Sequence, residues 1–131
     1  MRRALQVFFV LFGITDITIA SLHVAFGPSV IPGAVPVNAA MDSEDRFYAT
    51  LFAAYGVAIL WCVRDIERKS VPVYCLLGVF FVGGLARLVS VASVGPPNAF
   101  FVAMTVLELL IPPLAATVQH RISRTSCVPC A

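Results

Sequence analysis

Charge is what this chain of 131 residues is short of. Lys, Arg, Asp and Glu together make up 12% of it, against about a quarter in soluble domains. With 60% apolar residues and a mean hydropathy of +0.93, that shortage excludes an ordinary water-soluble domain. Other absences narrow the function. Neither Asn38 nor Asn98 begins an N-x-S/T acceptor. There is no glycine-rich phosphate loop, and no basic run interleaved with aromatics, so nucleotide loops and nucleic-acid surfaces are not expected. The four cysteines, Cys62, Cys75, Cys127 and Cys130, are too few and too unevenly spread for a secreted disulfide framework.

What the chain does have is long apolar runs. A hydrocarbon core of about 30 Å takes about 20 mostly apolar residues per helix. Four stretches qualify, at about 4–26, 46–63, 73–94 and 99–118. Only helices can cross lipid as open segments, because each must satisfy its own backbone. The expected fold is therefore all-α: a four-transmembrane-helix bundle over residues 1–120 with a short cytoplasmic tail at 121–131. Met1-Arg2-Arg3 resembles the start of a signal peptide. The apolar run continues past Asp16, however, without a clear A-x-A cleavage site, and reads as a retained span.

Lys and Arg near span ends set orientation. Arg2 and Arg3, then Arg64, Arg68 and Lys69, then Arg121 and Arg124 all fall on one side. The other side has only Arg46, outnumbered by Asp42, Glu44 and Asp45, and the neutral turn GPPN at 95–98. Both termini are expected in the cytoplasm and the chain in the plasma (inner) membrane. The largest connector, residues 27–45, carries Pro28, Pro32 and Pro36 and should be extended. "MDSEDRF" then reads as a helix start with Asp42 or Ser43 as N-cap, or as an acidic external mouth.

Three ionisable residues lie well inside spans: Asp16, Arg87 and Glu108. Each is costly there, so such residues normally face protein and find partners. Counting inward from the outer ends at ~1.5 Å per residue puts Asp16 and Glu108 ~15 Å deep and Arg87 ~10 Å deep. One level can hold all three, with Arg87 bridging the two acids and Arg46 balancing the charge near the outer surface. Helical spacing groups Gly13, Asp16, Ala20 and His23; Arg46, Ala49, Ala53 and Gly56; Gly83, Arg87 and Ser90; and Thr105, Glu108 and Pro112. Small residues on such faces let membrane helices approach closely. The cluster Asp16, Arg87, Glu108, Arg46 and His23 reads as an internal lock, as a site for a polar head group or a proton, or as a contact for another subunit. His23 reads as an interfacial hydrogen-bonder, with a proton carrier as the alternative.

Pro112 and Pro113 remove two backbone donors from the last span, giving either a kink or a broken helix beside Glu108. All four cysteines fall on the cytoplasmic side of this topology, where Cys62, Cys75, Cys127 and Cys130 would be weak candidates for metal or thiol exchange. A reduced, metal-free tail is the simpler expectation.

Asp16, "EDRFYATLFAAYG" (44–56), "GGLARLVS" (83–90) and Glu108 together resemble an uncharacterised bacterial family of small four-helix integral membrane proteins, known only as a domain of unknown function. In size and span count alone the chain is also similar to small accessory subunits of actinobacterial Mce-type lipid importers. The reading that follows is a non-catalytic accessory or ligand-binding membrane subunit, without catalytic residues or cofactor. It would sit in a larger membrane-protein complex or a homo-oligomer, with lipid as its surroundings and possible ligand, and lipid transport as the setting. Two alternatives stand beside it: a proton-coupled transporter using Asp16 or Glu108, and a membrane enzyme acting on a lipid or quinone with those carboxylates as acid and base.

Overall fold

A computed structural model describes residues 2–126. Four α-helices follow one another: α1 Arg2–Phe26, α2 Ala39–Val63, α3 Ser70–Val94 and α4 Ala99–Ser126. There is no strand among the described residues. Each helix has at least 25 residues, ~37 Å at 1.5 Å per residue and enough to cross a ~30 Å core. All four are apolar enough to do so. Their outward residues, such as Leu11, Val57, Val82 and Leu114, are exposed and apolar. That surface would be a liability in water and suits lipid. The chain is a multi-pass, all-α membrane protein.

Helix starts and stops follow local chemistry. A 3₁₀ turn, Gly27–Val30, closes α1, and irregular chain runs from there to Asn38. The N-cap of α2 is Asn38, whose side chain accepts from the Met41 amide at 2.9 Å. The expected cap at Asp42 or Ser43 is therefore corrected, and α2 begins seven residues before the expected 46. Past Pro36 nothing blocks a helix, and Ala39-Ala40-Met41 favours one. Asp42 then falls in the first turn, where a carboxylate suits the macrodipole. The GPPN turn is compact. Gly95, at φ 108°, ends α3 with its amide bonded to the Val91 carbonyl at 3.0 Å, a backbone angle that side chains disfavour. Asn98 Oδ1 accepts from the Phe100 amide at 3.0 Å as α4 starts. α4 passes through Pro112 and Pro113 without interruption, so the broken-helix alternative is not what forms.

The chain divides into two compact units, Val7–Arg64 and the first six residues with everything from Asp65 onward. In the second unit α3 and α4 pack against each other. The buried face of α4 is Thr105, Glu108, Pro112, Ala115, Gln119 and Ile122, a 3-4-3-4-3 spacing that is one helical stripe. The buried stripe of α3 runs through Val73, Leu77 and Gly84. A Cβ on Gly84 would lie 3.0 Å from Glu108 Cβ, so this glycine lets the two helices approach closely there. In the first unit, a Cβ on Gly13 would lie 2.9 Å from the Gly56 carbonyl oxygen and one on Gly56 equally close to Gly13 O. Paired glycines bring α1 and α2 into near backbone contact, as small-residue faces do in membranes.

Candidate functional site

The α3–α4 unit holds the central feature. Glu108, in the buried stripe of α4, is only 5% exposed. Arg87 reaches it from α3, its Nε donating to Oε1 at 3.0 Å and Oε2 at 2.8 Å. Gly84, one turn before Arg87, leaves room for Glu108 to lie against α3. The Arg87 guanidinium also stands 5.6 Å from the Phe101 ring centroid, within cation–π range. The contact to Glu108 is through one edge only. Among the described residues of this unit neither terminal nitrogen of Arg87 has an acceptor, and the side chain stays 41% exposed. The expected face Gly83–Arg87–Ser90 is corrected by one position. Gly83 and Ser90 are exposed, and a Cβ on Gly83 would touch nothing within 4 Å. With two adjacent glycines, sequence alone could not tell which one the partner helix needed.

The α1–α2 unit holds Asp16, His23 and Arg46, in two places. Asp16 is 2% exposed on the stripe of Gly13 and Ala20. Its Oδ2 has no hydrogen-bond partner. Its Cβ would lie 3.1 Å from a Cβ on Gly56, so the acid sits beside the close approach of Gly13 and Gly56. His23 and Arg46 form a separate polar cluster where α1 ends and α2 begins. His23 Nδ1 lies 3.0 Å from Asp45 Oδ2. Arg46 Nε donates to Asp42 Oδ2 at 2.8 Å, and its Nη1 donates to the Val24 carbonyl. Gly27, at φ 63°, passes so close to Asp42 and Arg46 that a Cβ would collide with the carboxylate. These bonds tie the proline-rich connector down at both ends. Arg46 thus has its acid four residues before it on its own helix.

Sequence reasoning missed Gln119. It is fully buried, and its Nε2 donates to the Ile66 carbonyl at 2.6 Å and to Ser70 Oγ at 3.2 Å. This clamps the α2–α3 connector to α4, and Oε1 is left without a partner. A signal was present: Gln119 continues the stripe of Thr105, Glu108 and Pro112 beyond the expected span end at 118. Of the cysteines, Cys62 is buried and Cys75 exposed; Cys127 and Cys130 lie outside the described residues. Among the described residues no group of three or more His, Cys, Asp or Glu is placed to hold a metal ion.

What this arrangement offers chemically is an edge-paired arginine with open donors, and a buried carboxyl oxygen with no partner. No curated protein and no solved structure matches the chain. Residues 4–119 match a family described as a domain of unknown function (DUF4345). That match reaches into all four helices and takes in Asp16, His23, Arg46, Arg87 and Glu108, and the chain belongs to this family.

Proposed function

We propose that the chain is a non-catalytic membrane subunit that binds the anionic head group of an amphiphile at Arg87, in the setting of lipid transport. The observation that carries this reading is the one-edged pairing of Arg87. Nε is committed to Glu108, and the two terminal nitrogens are left to take an acceptor from elsewhere. An arginine fork suits a carboxylate or phosphate bound at two points. Glu108 holds the guanidinium in place, with the Phe101 ring 5.6 Å away. An intramembrane cation of this kind is a candidate functional site.

The test is intact-mass spectrometry of the protein purified in mild detergent. Wild type should retain an anionic amphiphile that Arg87→Gln loses while still inserting. Equal retention by both, or a wild type that retains none, rejects the reading. A large protein co-purifying in fixed ratio would support the subunit role.

Asp16 favours a second reading, a proton-coupled carrier. Its buried oxygen without a partner needs a proton or cation from elsewhere. Asp16→Asn should then abolish proton flux in proteoliposomes, and equal flux in the variant sinks it.

A further inference from the structure

The end of the α3–α4 unit away from Arg87 holds a second polar constellation that the charge pair does not use. Tyr74, early in α3, and Ala116, Thr117, His120 and Arg121, late in α4, line an open groove of about 470 Å³. The Tyr74 hydroxyl is sealed from solvent and has no hydrogen-bond partner. A phenol in that state has lost water without replacing it, and an incoming acceptor would supply what is missing. Thr117 spends its hydroxyl proton on the Leu114 carbonyl at 2.7 Å. The unspent donor in the lining is therefore the Tyr74 hydroxyl, and Arg121 and the His120 ring stand beside it, Arg121 adding positive charge.

Charge at this end is positive. The described side chains of the unit here include Arg2, Arg3, Arg68, Lys69 and Arg121 against Asp65 and Glu67. Both acids are held in ion pairs, Arg2–Glu67 at 3.1 Å and Lys69–Asp65 at 3.7 Å. An anion is the complementary ligand.

The flank of the groove tells which anion. Leu110, Leu114, Thr117 and Arg121 follow a 4-3-4 spacing, one stripe on α4. Leu110 and Leu114 are exposed and apolar. The stripe runs from a cationic groove straight onto exposed leucines. Helices of at least 25 residues overshoot a ~30 Å core, which puts their last turns at head-group level, where tyrosine is favoured. A free anion would have no use for the leucine flank. We infer that this groove is a site for an anionic phospholipid, its phosphodiester held by Tyr74 and Arg121 and an acyl chain lying along Leu114 and Leu110.

Native mass spectrometry of the full chain in mild detergent tests this, with phosphatidylglycerol, phosphatidylcholine and inorganic phosphate added in turn. Phosphatidylglycerol should form a discrete adduct favoured about five-fold over phosphatidylcholine, as expected for one basic contact near the surface. Arg121→Gln should weaken it about five-fold. Tyr74→Phe, which removes only the hydroxyl, should weaken it by a similar factor, about that of one hydrogen bond. The adduct should survive Arg87→Gln, which separates this groove from the site of the proposed function. Helicity and melting temperature of each variant show that it is folded. Equal binding of both lipids, competition by inorganic phosphate, or folded Tyr74→Phe and Arg121→Gln variants that bind like wild type would each overturn the inference. So would loss of every adduct in Arg87→Gln.

Discussion

At the scale of single residues, two side chains invite direct tests. Arg87→Ala leaves the Glu108 carboxylate buried without its donor. An orphaned buried charge costs about 1–3 kcal/mol or more. Because Arg87 itself is 41% exposed, the loss should fall within that range, below the level of fully buried pairs. Melting temperature in detergent should drop accordingly. Adding Glu108→Gln should recover part of the drop, and full additivity of the two variants would mean that they are not partners. Asn38→Ala should cost about 1 kcal/mol by removing the cap of α2, whereas Ser43→Ala should leave the melting temperature within error. The contrast between these residues shows what the sequence could reveal. Glu108 was legible because a charge inside an apolar run needs a partner, and Arg87 was one of few candidates. Asn38 was hidden because Asn, Asp and Ser all cap helices, and the choice among Asn38, Asp42 and Ser43 depended on how far the proline-rich chain stayed irregular. Gln119 was hidden for a different reason. Its partners, Ile66 and Ser70, are about fifty residues away in sequence and announce nothing by type.

At the scale of helices, adjacent glycines make a controlled experiment. Gly84→Ala would place a Cβ 3.0 Å from Glu108 Cβ and from Leu109 Cδ2. Overpacking of this kind costs about 1–3 kcal/mol, and should push α3 off α4 and loosen the Arg87–Glu108 contact. Gly83→Ala meets nothing within 4 Å and gains up to about 1 kcal/mol of helix propensity. The two variants, one residue apart, should therefore shift the melting temperature in opposite directions. Helix count and outward faces were readable from hydropathy because lipid imposes length and composition directly. Which side of Arg87 faces α4 was not, because Gly83 and Gly84 are the same residue and the distinction exists only once a partner helix is present. Periodicity did locate Thr105, Glu108 and Pro112 on one face. The continuity of α4 through Pro112 and Pro113 fits the tolerance of membrane helices for proline, with the carbonyls of Glu108 and Leu109 left without their usual amide donors.

At the scale of the whole chain, orientation is the property most open to measurement. The Lys/Arg distribution predicts both termini on the cytoplasmic side. Single-cysteine variants keeping only Cys127 or Cys130 should resist an impermeant thiol reagent in intact cells and react after permeabilisation. Labelling in intact cells would reverse the topology. It would also move the groove at Tyr74 and Arg121 to the outer leaflet.

The brevity of the α3–α4 connection has a bearing on how the protein is made. Only Gly95–Asn98 separates the two helices, and Arg87 and Glu108 lie on either side of that turn. An arginine entering a bilayer by itself faces a barrier of about 3 kcal/mol on insertion scales. Here the next helix follows after four residues, carrying the acid that neutralises it. The hairpin can leave the translocation channel as a single, internally neutralised piece of cargo. Lengthening the turn with a polar insert should lower the yield of correctly inserted protein in a way that Arg87→Leu with Glu108→Leu relieves, because a pair of leucines can enter the membrane one helix at a time.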